Sequence, residues 1–120
     1  MTRDSFDMIK DKIQFSDFEK VDIRIGTIIK AESFEKARNP SYKLWIDFGE
    51  LGIKKSSAQL TALYTLNDLV GKQICAVVNF EPRQIADFMS EVLVLGALYP
   101  NKDVMLIVTD KTAANGLSIA

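Results

Sequence analysis

The strongest constraint in this chain is a two-residue rhythm. Apolar and polar side chains trade places along several runs of strand length, and chains patterned this way fold into sheets. In YKLWIDF, Tyr42, Leu44, Ile46 and Phe48 share one face, while Lys43, Trp45 and Asp47 share the other. Upstream, Val21, Ile23 and Ile25 alternate with Asp22 and Arg24 until Gly26, after which the apolar phase passes to Ile28. Glycine inside a strand marks a bulge or a sharp coil, and small barrels need such bends to close, so a bulge is expected at Gly26.

The remaining segments continue the pattern. ELGIKKSSAQ reads as a turn and a polar third strand, KQICAVVNF as a buried strand, and SEVLVLGALY and DVMLIVTD as two more. EPRQIADFM reads as a loop opened by Pro82, and AANGLSIA as a turn at Asn115-Gly116 with a short terminal strand. Helical signals are few. Ser16 and Glu19 fit an S-x-x-E capping box. Leu60, Leu63 and Leu66 share one side of a short helix or turn that Gly71 ends. Within residues 4–14, Phe6, Ile9 and Ile13 form the apolar stripe of a short amphipathic helix.

The order β-β-β-α-β-β is that of the OB-fold, a partly open Greek-key barrel. The expectation is a mostly all-β chain: a five-stranded OB-fold barrel with a short N-terminal helix and extra C-terminal strands. Residues 1–14 form the helical extension and residues 15–120 the barrel domain. A 120-residue chain fits one domain, and its 48% hydrophobic content suffices for one core. The stripe Phe6, Ile9 and Ile13, with the runs VLVLGALY and VMLIV, offers more apolar surface than a small barrel hides. A two-fold homodimer is the expected cover.

Composition removes several function classes. There is no histidine and one cysteine, Cys75. An intramolecular disulfide is therefore impossible, a structural zinc site lacks its ligands, and imidazole acid–base chemistry is excluded. Cys75 sits in an apolar run without a nearby base and reads as an inert buried thiol. No nucleophile–base arrangement can be assembled, so no enzyme, metal or cofactor is expected. No apolar run approaches the ~20 residues that span a bilayer, and the first residues lack a secretory signal. No membrane partner is expected, and the location expected is cytoplasmic. The net charge of −1 means that any nucleic-acid role rests on a local patch.

Three segments carry a resemblance. VDIRIGTI is similar to the opening strand of the tRNA-binding domains, which occur alone or appended to aminoacyl-tRNA synthetases. YKLWIDFGELGIKKSSAQLT resembles the second and third strands of the CsaA family. VVNFEPRQIADFMSEVLVLG resembles the N-x-K-P-x-x-x-x-G-x-x-S motif, with Glu81 in place of the Lys and Asp87 in place of the Gly. The likeness spans residues 15–120.

It implies a homodimeric OB-fold protein that recognises tRNA by shape through a basic and polar loop surface. The alternative it implies is a chaperone-like role toward unfolded or export-bound polypeptides. On the first reading the contacts are Lys54, Lys55, Asn79, Arg83 and Ser90. Arg83 forks onto phosphate after a rigid proline, although Asn79 and Ser90 serve equally well as strand-end hydrogen-bonders. On the second reading Trp45, Phe80 and Phe88 offer an apolar surface, unless the phenylalanines fold back over the barrel end. Asp87 is expected to accommodate positive φ where the motif has Gly.

Overall fold

The alternating runs pair into sheet in the computed structural model, which describes residues 8–120. β1 (Ile23–Ser33), β2 (Tyr42–Asp47), β3 (Ile53–Ala58), β4 (Gln73–Val77) and β7 (Leu93–Val94) form one antiparallel sheet in the order β3-β2-β1-β4-β7. Its two edges meet through side chains as well as backbone. The N–H groups of Glu91 and Val92 donate to the Lys55 carbonyl at 2.8 and 3.3 Å. The Lys55 N–H donates to Glu91 Oε1 at 2.9 Å, and the Ser57 N–H to Ser90 Oγ at 3.0 Å. The sheet is thereby a nearly closed five-stranded barrel of OB type. Ile28, Leu44, Ile46, Phe48, Leu69 and Ile74 fill it, all fully buried.

The one helix after the third strand, α2 (Leu66–Leu69), buries Leu69 beneath the barrel. Asp68 accepts the Thr65 N–H at 2.8 Å and so satisfies one of the orphan donors at the helix start. α1 (Phe15–Glu19) begins two residues earlier than the S-x-x-E signature implies. Asp17 reaches back to the Gln14 N–H at 2.9 Å, so the Gln14–Asp17 pair replaces Ser16–Glu19.

Four expectations are corrected. The bulge lies at Ile29, not at Gly26: Ile28 pairs with Ile46 and Lys30 with Trp45, leaving Ile29 without a partner. Gly26 serves close packing instead, since a Cβ there would stand 2.6 Å from Ile46 Cγ2 and 2.7 Å from the Phe48 ring. Residues 8–14 are not helical. Ile9 and Ile13 are 93% and 71% exposed, and so short a helix does not hold in water without a buried face. The rest of that expected helix, Phe6 included, lies outside the described residues. The expected loop after Pro82 is a hairpin, β5 (Arg83–Ile85) against β6 (Phe88–Ser90). Its turn takes positive φ at Ala86 (51°), not at Asp87. Pro82 precedes the first strand, where its missing N–H costs no ladder bond.

The C-terminal runs are shorter than their apolar length suggests. SEVLVLGALY divides at Leu95 into β7 and β8 (Gly96–Leu98), and β8 pairs with β9 (Val104–Leu106) as a separate hairpin. Residues beyond the Asn115-Gly116 turn lie along the first half of β1. Gly116 N–H donates to Ile25 O at 2.7 Å, Ile25 N–H to Leu117 O at 2.9 Å and Ile119 N–H to Ile23 O at 2.9 Å. Among the described residues, no helix is long and apolar enough to cross a membrane.

Candidate nucleic-acid interface

The bulge at Ile29 decides what the outer face of the barrel presents. Strict alternation would put Lys30 on the same side as Ile28, which is in the core. The extra residue shifts the phase, so Lys30 emerges opposite Trp45, and Trp45 lies opposite Lys55. A rung Lys30–Trp45–Lys55 therefore crosses three strands on the solvent side. The next outward rung is Glu32–Lys43–Ser57.

The β5–β6 hairpin folds onto this face and lays Phe88 against it. The Phe88 ring centroid stands 5.7 Å from Trp45 and 5.5 Å from Phe34, both edge-on. Lysines surround the three rings. Lys30 Nζ lies 4.5 Å from the Trp45 centroid, Lys43 Nζ 4.9 Å from Phe34 and 5.4 Å from Phe88, and Lys55 Nζ 5.3 Å from Phe88. Such cation–ring contacts orient the ammonium groups while leaving them hydrated. Acids are interspersed: Glu32 pairs with Lys30 at 3.2 Å, and Asp87 with Lys36 at 3.0 Å. The Lys36 hydrogen bond, aided by the charges of Lys36 and Lys43, holds the Asp87 carboxyl below the ordinary aspartate range. The same bond ties the hairpin tip to the loop after β1.

The other side of the hairpin borders an open cleft of about 700 Å³, reached by Phe80, Arg83, Ile85, Leu93, Leu98 and Val104.

The residues singled out from the sequence do not form one patch. Lys54 and Lys55 point to opposite faces of β3. Lys55 joins the outer rung, whereas Lys54 has the phase of buried Ser56 and pairs with core residue Ile46. Arg83 belongs to the cleft. Asn79 is occupied at both ends: its Oδ1 accepts the Asp22 N–H at 2.9 Å, and its Nδ2 donates to Lys20 O at 2.8 Å. Ser90 Oγ is spent on the barrel seam. Of the aromatics, Phe80 is 56% exposed, but Phe88 is only 5% exposed. Phe88 is thus not an open apolar contact, because Trp45, Phe34 and the lysine stems cover it. Asp22 and Arg24 do pair, Nε to Oδ1 at 2.6 Å, and Arg24 Nη1 donates to Gly116 O at 3.0 Å. Burial pushes the Cys75 thiol up, away from the reactive thiolate.

Lys30, Lys36 and Lys43 were not candidates from the sequence. Lys43 was legible, since it alternates in phase with Trp45. Lys30 was not, because its side depends on a bulge placed three residues after the glycine that signalled one.

This geometry is that of a known family. The tRNA binding domain family matches residues 23–118. The chain belongs to the tRNA binding domain family, in its CsaA-type form. It is 50% identical to the chaperone CsaA of Bacillus anthracis, over 92% of this chain and all of that one, with a TM-score of 0.88. It is 47% identical to the CsaA chaperone protein of Picrophilus torridus, over 91% of this chain and all of that one, with a TM-score of 0.84. A curated relative, the methionine–tRNA ligase of Bdellovibrio bacteriovorus, is 37% identical over 88% of this chain. The chain spans only 15% of that ligase's length. In this tRNA-binding domain, then, the family's diagnostic motif forms the β5–β6 hairpin and its neighbours, the element that carries Phe88 onto the outer face.

Proposed function

We propose that this domain is a non-catalytic tRNA-binding protein that recognises the folded RNA by shape. The observation that carries the reading is the motif hairpin packed against the outer sheet, with Lys55 on one flank and Arg83 on the other. OB barrels bind oligonucleotides on this strand face and its flanking loops. Family membership over most of the chain supports the same ligand. Phosphate contacts fix orientation without reading sequence, which suits a surface of lysines and one arginine. Asn79 and Ser90 then act by holding the hairpin and seam in place, and Lys54 stands apart from the contact face. A cytoplasmic location follows from the ligand.

The test is a titration of bulk tRNA at 50 and 200 mM salt, with Lys55→Ala plus Arg83→Ala as the variant. Binding should fall steeply with salt, and the variant should lose affinity roughly tenfold or more. Absence of binding by the wild type at 50 mM would sink this reading.

A specific observation favours a second function. The cleft beside Arg83 has a largely apolar lining, and Phe80 stands exposed at its edge. A cleft of this size accommodates side chains of an unfolded or export-bound polypeptide, and the two CsaA relatives are described as chaperones. Phe80→Ser should then weaken suppression of aggregation of a denatured client while leaving tRNA binding intact.

We also propose a homodimer. Leu93, Leu98 and Met105 are exposed on the C-terminal strands, Tyr99, Ile107 and Val108 beside them, and Ile9 and Ile13 add to them. Apolar exposure on this scale marks an association surface. The barrel domain spans residues 15–120 on this reading, since Asn79 ties Lys20 and Asp22 to it. Sedimentation at micromolar concentration should give twice the chain mass, and a monomer there would dismiss the dimer.

A further inference from the structure

We propose that the outer face carries a phosphate-binding site in which the ammonium groups of Lys43 and Lys55, both held against the Phe88 ring, take a phosphate of an RNA backbone. The inference rests on the tRNA-binding reading and deepens it, because it says which atoms meet the RNA and how.

The first argument is electrostatic. Lys20, Arg24, Lys30 and Lys36 each have a carboxylate partner. Lys43 and Lys55 have none among the described residues, yet both ammonium groups stand against one ring, at 5.4 and 5.3 Å from its centroid. Both charges are thus held in one region of the face, and an anion placed beside them lowers their mutual repulsion. The nearest acids make their hydrogen bonds and ion pairs with other groups, although the Asp87 carboxylate also feels the charge of Lys43. Glu32 is paired with Lys30 and Asp87 with Lys36, and Glu91 accepts the Lys55 backbone N–H. Glu35, which lines one small recess with Lys43 and Asp87, has no such bond among the described residues.

The second argument is steric. An OB surface that stacks bases needs an open ring face. Phe88 is covered, and Trp45 has Lys30 over its ring while meeting Phe88 edge-on. The rings are therefore supports that aim lysines, and the RNA arrives backbone-first. Ammonium groups suit this role because they bind phosphate as point charges and need no fixed fork geometry.

Trp45 is the chain's one tryptophan, so its emission reports on this face alone. The experiment follows tRNA binding between 50 and 200 mM salt for the wild type, Lys43→Ala/Lys55→Ala, Lys54→Ala and Trp45→Phe, with circular dichroism and thermal unfolding as checks of fold. The double lysine variant should lose about 1.5–2 from the slope of log affinity against log salt. Lys54→Ala, which removes one charge from the opposite face, should leave the slope unchanged. Wild-type emission should change on binding, with Trp45→Phe as the emission blank. A folded double variant with the wild-type slope overturns the site while the tRNA reading stands. Binding by the wild type without a change in emission overturns the placement of the RNA on this face. A wild type that fails to bind tRNA at 50 mM removes the tRNA reading and this site with it.

Discussion

At the scale of single residues, packing tolerances and side-chain hydrogen bonds do most of the specifying. Gly26 is the sharpest case. Its missing side chain is the space in which Ile46 and Phe48 meet, so Gly26→Ala must push two fully buried neighbours. Overpacking of this kind should destabilise the domain by about 1–3 kcal/mol, read from the urea midpoint. Asp68 offers a pH-dependent counterpart. Its hydrogen bonds from Thr65 lower its pKa in the folded state, with the charge of Lys72 contributing. A depressed carboxylate stabilises the fold above its unfolded pKa, and that contribution is lost as pH falls through the folded value. Wild-type stability should therefore drop more between pH 6 and pH 3 than that of Asp68→Asn, and equal drops would remove the cap from the account.

At the scale of elements, the hairpin Arg83–Ser90 and the bulge in β1 build the candidate surface between them. The hairpin turn places a non-glycine residue, Ala86, at positive φ, a conformation that L side chains resist by about 1–2 kcal/mol. Ala86→Gly should relieve that strain, offset in part by the greater freedom of glycine in the unfolded chain. The expected result is a gain of up to about 1 kcal/mol by urea denaturation, with tRNA binding unchanged. The bulge has the larger functional consequence. It turns Lys30 outward and keeps Ile28 inward, so one unpaired residue separates the core from the candidate surface along the same strand.

At the scale of the whole molecule, the chain end completes the barrel. Residues 116–119 supply backbone partners for Ile23 and Ile25, and Gln73 grips Ala113 through both amide atoms, at 2.7 and 2.8 Å. Removing residues 116–120 would leave three β1 backbone groups without those partners and open an edge of the first strand. The truncated chain should be less stable by at least about 1–3 kcal/mol, with faster amide exchange at Ile25. Unchanged exchange there would show that the terminus contributes nothing to β1.

The sequence by itself determined the barrel class, because alternation at period two, a single short helix after the third strand and a hydrophobic fraction sufficient for one core leave few other arrangements. It also carried the family, through motifs spread along nearly the whole chain, and the outward phase of Lys43 and Trp45, which follows from the pleat alone. Tertiary structure decided the rest. Where a bulge falls depends on how β1 must bend to serve β4 with one half and β2 with the other, so the side of Lys30 could not be read from its neighbours in sequence. That Lys54 and Lys55 part to opposite faces followed from the pleat, but that Lys55 meets Phe88 required the hairpin to fold back across three strands. Phe88, Asn79 and Ser90 acquired their positions from long-range contacts, and contacts made between segments far apart in the chain leave no local signal in it.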